Sequence, residues 1–543
     1  MGELTAAAPL LQIRDLSVAF YGEKPVTSGV TFDLFAGCTT ALLGESGSGK
    51  SITSSAIMGL LPPGGVVVDG SVQHVPSETL WVEPQGVNRA PLGRGLSMVF
   101  QDPMSSLNPS MRVGLQVAEV LTLHQKCSQS AARMRVQQLF KEVELPDPEI
   151  TFRKYPHELS GGQKQRIMLA IALAAEPEVL IADEPTTALD VTVQQSILAL
   201  LKKVQKLRGL AVLFITHDLD VVRDIADHVL VLKDGVIVEQ GPTWNVFLHP
   251  EHPYTAALLK AKERPRRLFD SAKKTPFIEV NQLSKSFPTH RNLLGRVTAE
   301  FTAVRNVSLT IHRGERIGLV GESGSGKSTL GRLLLGLTDS SSGTIVMDGH
   351  PVQTHNRKSM KRTRKLAQLV FQDPYSALNP QMRVGRALEE VLKHLGCSTS
   401  QAENRAIALL EEVGLQAEDA LRYPRSFSGG QRQRIVIARA LAMEPEFLVL
   451  DESVAALDVQ IQRAILDLLA KIGDARQLTF LFISHDLGVM ESFCNRLLVM
   501  QHGQLVETGK TSEIMESPQH PYTQQLLSSR AGKRSLEALE IHA

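Results

Sequence analysis

Short runs of consecutive apolar residues recur along the chain, and stretches of helical period lie between them. EVLIAD (178–183), AVLFITH (211–217) and HVLVLKDG (228–235) are rich in β-branched residues and end in polar or turn residues, as buried strands do. SILALLKKVQKL (196–207) and VVRDIADHV (221–229) carry the apolar spacing of helices. Strands that alternate with helices predict an α/β fold with a largely parallel sheet flanked by helices. The stretches from about Asp102 to Ala175 and from Asp373 to Ala442 read as mostly helical, so each α/β core is expected to hold an inserted helical subdomain.

The whole pattern is written twice. GESGSGKS at 44–51 returns unchanged at 321–328, FQDPMSSLNP at 100–109 returns as FQDPYSALNP, and LSGGQKQR at 159–166 returns as FSGGQRQR. LIADEPTTALD, FITHDL and HPYTAALL come back in the same order as LVLDESVAALD, FISHDL and HPYTQQLL. The separation is 277 residues at the first motif, 271 from Gln101 to Gln372, and a constant 268 from the SGGQ stretch to HPYT. Extra residues therefore accumulate before SGGQ in the first copy, as loop insertions produce. Repetition at this period means two homologous domains rather than a solenoid. The expected division is 11–259 for the first domain, 260–276 for a charged linker, 277–530 for the second domain and 531–543 for a tail.

Composition narrows the class. The 543 residues carry a net charge of +1, with 43% apolar and 21% charged positions, so bulk charge points neither to nucleic acid nor to an anionic membrane. Cys38, Cys127, Cys397 and Cys494 lie far apart without metal-like spacing, which suits a reducing compartment. No apolar run approaches the roughly 18–20 residues of a membrane span. The opening MGELTAAAPLLQIRDLS is not read as a secretory signal. Action at a membrane would require partners that do the spanning.

GxxxxGK[ST] between a strand and a helix is a phosphate cradle. Backbone N–H groups of Gly44, Glu45, Ser46, Gly47, Ser48 and Gly49, and of Gly321, Glu322, Ser323, Gly324, Ser325 and Gly326, are expected to wrap phosphates at a helix N-terminus. Lys50 and Lys327 reach the phosphates; Ser51 and Ser328 offer hydroxyls to Mg²⁺. Asp183 and Asp451 end apolar strands, where an acid coordinates Mg²⁺ directly or through water. Glu184 and Glu452 follow, placed to polarise an attacking water. Gln101 and Gln372 are candidates to touch the metal or that water, and His217 and His485 to contact the γ-phosphate. For a lone Gln or His, an ordinary structural role is the stronger reading; here the shared context favours chemistry.

Together these motifs resemble the nucleotide-binding domain of ATP-binding cassette (ABC) transporters, over about residues 11–530. The resemblance implies two tandem P-loop NTPase domains, each a RecA-like α/β core with a β subdomain and an inserted helical subdomain. It makes Asp183 and Asp451 Walker B carboxylates, Glu184 and Glu452 catalytic glutamates, Gln101 and Gln372 Q-loop residues, and His217 and His485 switch histidines. Ala188, Leu189 and Asp190, with Ala456, Leu457 and Asp458, match the D-loops. For the aromatic that stacks on adenine, Phe20, Tyr21 and Phe287 are candidates, a core role being equally open for each.

In that family the SGGQ surface of one domain closes over the ATP held by the other. One site would then pair Lys50 with Ser428, Gly429, Gly430 and Gln431, and the second Lys327 with Ser160, Gly161, Gly162 and Gln163. FQDPxxxLNP and HPYT resemble one branch, the ATPases of oligopeptide, dipeptide and nickel importers, here fused as in ATPases similar to those for glutathione or microcin C. The stretch HRNLLGRVTAEFTAV (290–304) resembles an extension of the second subunit type of that branch. The resemblance implies ATP and Mg²⁺ as cofactors, two integral membrane permease subunits and an extracytoplasmic solute-binding protein as partners, no nucleic acid, and a peripheral position on the cytoplasmic face of the membrane.

Two departures stand out. Many members carry cluster-binding cysteines after HPYT; this chain has none there, and no iron–sulfur cluster is expected. Ser453 replaces the proline found at Pro185, freeing a backbone dihedral beside Glu452. A peptide or peptide-like solute is the expected cargo, with nickel complexes, glutathione and opine-like solutes as alternatives. A twin-cassette translation factor is the remote alternative, disfavoured by the short linker.

Overall fold

The computed structural model describes residues 8–84, 90–186, 190–262, 275–291, 297–371, 373–454 and 457–528. Gln372, Ala188, Leu189, Ala456, most of the linker 260–276 and the tail 531–543 lie outside the described residues. The chain divides into two compact units, one reaching Lys262 and one running from Glu263 to Arg530.

In the first unit the apolar runs form the central strands of a six-stranded sheet. Its order is Val236–Pro242, His228–Lys233, Thr39–Leu43, Ala211–Thr216, Val179–Asp183 and Leu96–Val99, parallel except for the first. Thr39–Leu43, Val179–Asp183 and Ala211–Thr216 are buried at every residue, as a parallel sheet covered on both faces demands. The period of two splits each strand between two cores. Val179, Ile181, Leu213 and Ile215 face a layer made with the helix Lys50–Met58 and a four-stranded antiparallel sheet that includes Leu11–Phe20. Leu180, Ala182, Val212 and Phe214 face the other way, toward Val136, Leu139, Phe140 and Ile167 of the helical insertion.

That insertion runs from Pro103 to Ala174. Its helices start where the sequence supplies caps: Ser128 accepts from Ala131 N–H, and Ser160 forms a capping box with Gln163. Asp190 caps the long helix Val191–Arg208, accepting from Val193 N–H at 2.9 Å, and Gly209 closes it in the left-handed conformation.

The second unit repeats the plan. Its six-stranded sheet is ordered Ala367–Val370, Phe447–Asp451, Thr479–Ile483, Arg316–Val320, Arg496–Gln501 and Gln504–Lys510. Phe447, Val449, Leu481 and Ile483 point to one core; Leu448, Leu450, Phe480 and Phe482 point to the other. Two features are its own. The antiparallel sheet is led by two 16-residue strands, Pro276–Arg291 and Val297–His312, paired with each other. A basic helix, Arg357–Leu366, precedes the edge strand Ala367–Val370; the described residues before the first unit's edge strand Leu96–Val99 form no such helix.

Each HPYT motif is folded by one carboxylate. Glu239 accepts from Glu251 N–H at 2.8 Å and His252 N–H at 3.1 Å; Glu507 accepts from Gln519 N–H at 2.8 Å and His520 N–H at 3.1 Å. Burial works against these charges, but the neighbouring Thr255 and Thr523 side chains, the N–H donors and the adjacent histidines together outweigh it and hold both carboxyls below the usual carboxylate range. A depressed folded pKa stabilises above the unfolded value, and that stabilisation is lost as pH falls through the folded one. Glu239→Gln is therefore expected to lower the thermal midpoint of the full chain at neutral pH and to flatten its decline under acid. Thermal unfolding from neutral to acidic pH measures both.

Candidate functional site: two phosphate cradles

Both cradles hang between the central strand and the first helix of their sheet. In the first, Leu43 leads into the loop and the helix Lys50–Met58 begins at its end. Gly49 adopts φ 103° and its counterpart Gly326 φ 106°, values that a side chain would strain, so the chain turns into the helix only through glycine. Ser48 N–H donates to the Glu45 carbonyl at 3.1 Å, and Gly235 N–H holds the Ser48 carbonyl at 3.0 Å. Ser325, Glu322 and Gly503 repeat this at 3.1 and 3.0 Å. The KDG and QHG turns thus brace the loops from outside.

The lysines are buried inside the loops. Lys50 Nζ donates to the carbonyls of Gly44 and Glu45, both at 2.7 Å, and Lys327 Nζ to those of Gly321 and Glu322, both at 2.7 Å. An ammonium held at a helix N-terminus, within a loop of backbone donors, fits a polyphosphate.

Carboxylates converge on the same end of the sheet. Ser51 Oγ lies 3.5 Å from Asp183 Oδ1, and Ser328 Oγ donates to Asp451 Oδ1 at 2.9 Å. Burial pushes both aspartates above their usual range, and the neighbouring Glu184 and Glu452 charges add to the shift. A hydroxyl and a buried carboxylate side by side fit a divalent cation, whose charge would compensate the cost of that burial.

The strand-end glutamates turn into the site. Glu184 (φ 44°) and Glu452 (φ 46°) sit in the left-handed region, which costs a non-glycine residue roughly 1–3 kcal/mol. Their N–H groups still close the sheet ladder, on Ile215 and Ile483 carbonyls at 2.9 Å. In the first unit one Glu184 oxygen meets His217 Nδ1 at 2.8 Å and the other accepts from Gln101 Nε2 at 2.7 Å. In the second, His485 Nδ1 is 3.6 Å from Glu452. That histidine lowers the Glu452 pKa; burial opposes the charge on His485, but Glu452 outweighs it and raises the His485 pKa.

The SGGQ segments are helix starts. Gln163 N–H donates to Ser160 Oγ at 3.3 Å while Ser160 N–H donates to Gln163 Oε1 at 3.1 Å; Ser428 and Gln431 do the same at 3.3 and 3.1 Å. Gly161 begins one helix and Gly429 the other. A Cβ on Gly162 would lie 2.5 Å from Val193, and one on Gly430 2.4 Å from Ile461, so the second glycine of each motif lets two helices approach. Among the aromatics, Phe20 packs against the core, Tyr21 is exposed with its hydroxyl on the Pro63 carbonyl, and Phe287 lies beneath the Lys285 ammonium.

One contact had no signal beyond the repetition of HPYT. Tyr522 Oη accepts from Glu322 N–H at 2.8 Å, joining the C-terminal motif to the second cradle.

Residues 27–187 and 304–455 match the model of the ABC transporter family, and residues 238–285 and 506–536 match the C-terminal region of oligopeptide/dipeptide transporters. The chain belongs to the ABC transporter family. It is 44% identical to a peptidoglycan transport ATP-binding protein of Agrobacterium fabrum, over 99% of both chains. It is 42% identical to a glutathione import ATP-binding protein of Pectobacterium atrosepticum, over 96% of this chain and 89% of that one. The protein of that name from Escherichia coli K12 is 43% identical, over 96% and 90%. The chain is accordingly an ATP-binding subunit and an ATPase of the ABC class, with two cassettes in tandem. Among the described residues no helix is long and apolar enough to cross a membrane.

An acid whose folded pKa is raised costs stability, increasingly as pH rises through that value. Asp183→Asn is expected to raise the thermal midpoint of the nucleotide-free chain at neutral pH. If Asp183 holds a divalent cation beside a bound nucleotide, the same change is expected to reduce the stabilisation that Mg²⁺ adds to that of ATP. Thermal scans with ATP, with and without Mg²⁺, separate the two effects.

Proposed function

We propose that this ABC ATPase energises an importer of peptides or peptide-like solutes, from the cytoplasmic face of the membrane. The domains would follow the division 11–259, 260–276, 277–530 and 531–543. Two ATPs would be held head-to-tail: one by Lys50 with Ser428, Gly429, Gly430 and Gln431, the other by Lys327 with Ser160, Gly161, Gly162 and Gln163. The short linker would make this closure intramolecular, at an effective concentration on the order of mM.

The observation that carries the reading is Glu184, held between Gln101 and His217 beside the Lys50 loop. A carboxylate aimed this way can take a proton from water while the imidazole orients the γ-phosphate. Mg²⁺ would be held by Ser51, Asp183 and Gln101 in one site and by Ser328, Asp451 and Gln372 in the other, neutralising charge on the phosphates. Glu452 and His485 would repeat the general-base arrangement, less tightly joined.

The cargo class rests on the oligopeptide/dipeptide C-terminal region and on relatives named for glutathione import and peptidoglycan transport. Partners would be two permeases and an extracytoplasmic solute-binding protein. A groove of about 830 Å³ in the second unit supports permease docking. Leu335, Met360, Leu369 and Phe371 give it apolar walls, and Arg357, Lys361, Arg364 and Lys365 give it a basic rim.

The decisive experiment traps the Glu184→Gln/Glu452→Gln chain with Mg-ATP in detergent-solubilised cells. Two co-purifying integral membrane proteins are expected; ribosomes without membrane protein would overturn the importer reading. Loss of a general base lowers turnover by about 10²–10⁴ at the altered site. Glu452→Gln alone is therefore expected to cut the ATPase rate of the assembled transporter; an undiminished rate would rule out an equal contribution from the second site.

A further inference from the structure

We propose that Tyr522 is a positioning residue for the second ATP cradle, which places the C-terminal HPYT segment in control of nucleotide affinity. This rests on reading the cradle as an ATP site. The argument begins with one peptide group, the one that joins Gly321 to Glu322. Its N–H donates to Tyr522 Oη at 2.8 Å, and its carbonyl accepts from Lys327 Nζ at 2.7 Å. Phenol and ammonium therefore grip opposite ends of the same amide. A peptide plane fixed at one end fixes the direction of the other, so the phenol sets where the lysine is held.

The phenol itself has little freedom. Tyr522 is 5% exposed and packs in the core with Leu526. Its backbone N–H donates to His520 Nδ1 at 3.2 Å, and Glu507 gathers the Gln519 and His520 N–H groups. Glu507 stands on Gln504–Lys510, which pairs with Arg496–Gln501, which pairs with Arg316–Val320. That last strand runs directly into the cradle. The loop is thus anchored twice to the same sheet, once through its own strand and once through Tyr522. Binding to a loop already held in place loses less ordering entropy than binding to a loose one. In the first unit Tyr254 occupies the corresponding position, with the Lys233 ammonium 5.0 Å from its ring centroid; the second unit has Gln501 in place of that lysine.

The test uses the full chain carrying Lys50→Ala, so that Mg-ATP titration reports the second cradle. Tyr522→Phe keeps the ring and deletes the hydroxyl. It is expected to raise the Kd for Mg-ATP about fivefold, the value of one typical hydrogen bond, with little change in thermal midpoint without nucleotide. Glu507→Gln, which loosens the turn that carries Tyr522 while keeping the phenol itself, is expected to weaken ATP in the same direction and decides the matter if Tyr522→Phe does not fold. A purely structural tyrosine would lower the midpoint and leave Kd unchanged, and that result overturns the proposal. Failure of the Lys50→Ala parent to bind Mg-ATP would instead overturn the reading of this cradle as an ATP site, and the proposal with it.

Discussion

The structure depends on parallel strands that are buried on both faces. Val179–Asp183 can meet two apolar layers at once only because successive side chains point in opposite directions. Val179 and Ile181 bind it to the layer with the Lys50–Met58 helix, and Leu180 and Ala182 to the helical insertion. A register slip of one residue would exchange the two faces, so the strand has no alternative position. The same clamp fixes where the strand runs out of apolar residues, and Asp183 is the next position. Chemistry begins where the hydrophobic constraint ends, and it does so at the same place in both units.

From that edge the electrostatics follow. Aspartate at the last buried position loses hydration, and its pKa rises; the glutamate after it has turned out of the strand and can find polar partners. The left-handed backbone at Glu184 and Glu452 makes that turn possible. The units then diverge in detail. Glu184 is within hydrogen-bond distance of its histidine, whereas Glu452 and His485 stand 3.6 Å apart beside Ser453, where the first unit has Pro185. Proline restricts the backbone after the glutamate, and serine does not.

The outer parts of each unit serve the cradle at a distance. The KDG and QHG turns hold the loops through backbone bonds, and the glutamates at 239 and 507 shape the HPYT turns. These elements lie far apart in sequence and meet because the strands that carry them are neighbours in one sheet.

Much was legible in the amino-acid sequence, because the strongest signals are local. The phosphate loops, the strand-end carboxylates and the SGGQ helix starts each depend on residues within a few positions of one another. Duplication then distinguished motif from coincidence, since two independent matches kept one order. Tertiary structure decided what depends on approach between distant segments. The second glycine of SGGQ reads as part of an anion-binding turn, yet it also gives room to Val193 or Ile461 of another helix. HPYT was visible as a repeat and as a likeness to one importer branch, but its link to the cradle became apparent only when Tyr522 met Glu322, 200 residues earlier in the chain. A pattern of residue types encodes periodicity and turn chemistry; the partner of a buried hydroxyl is set by how the sheet brings its edges together, and no local spacing records that.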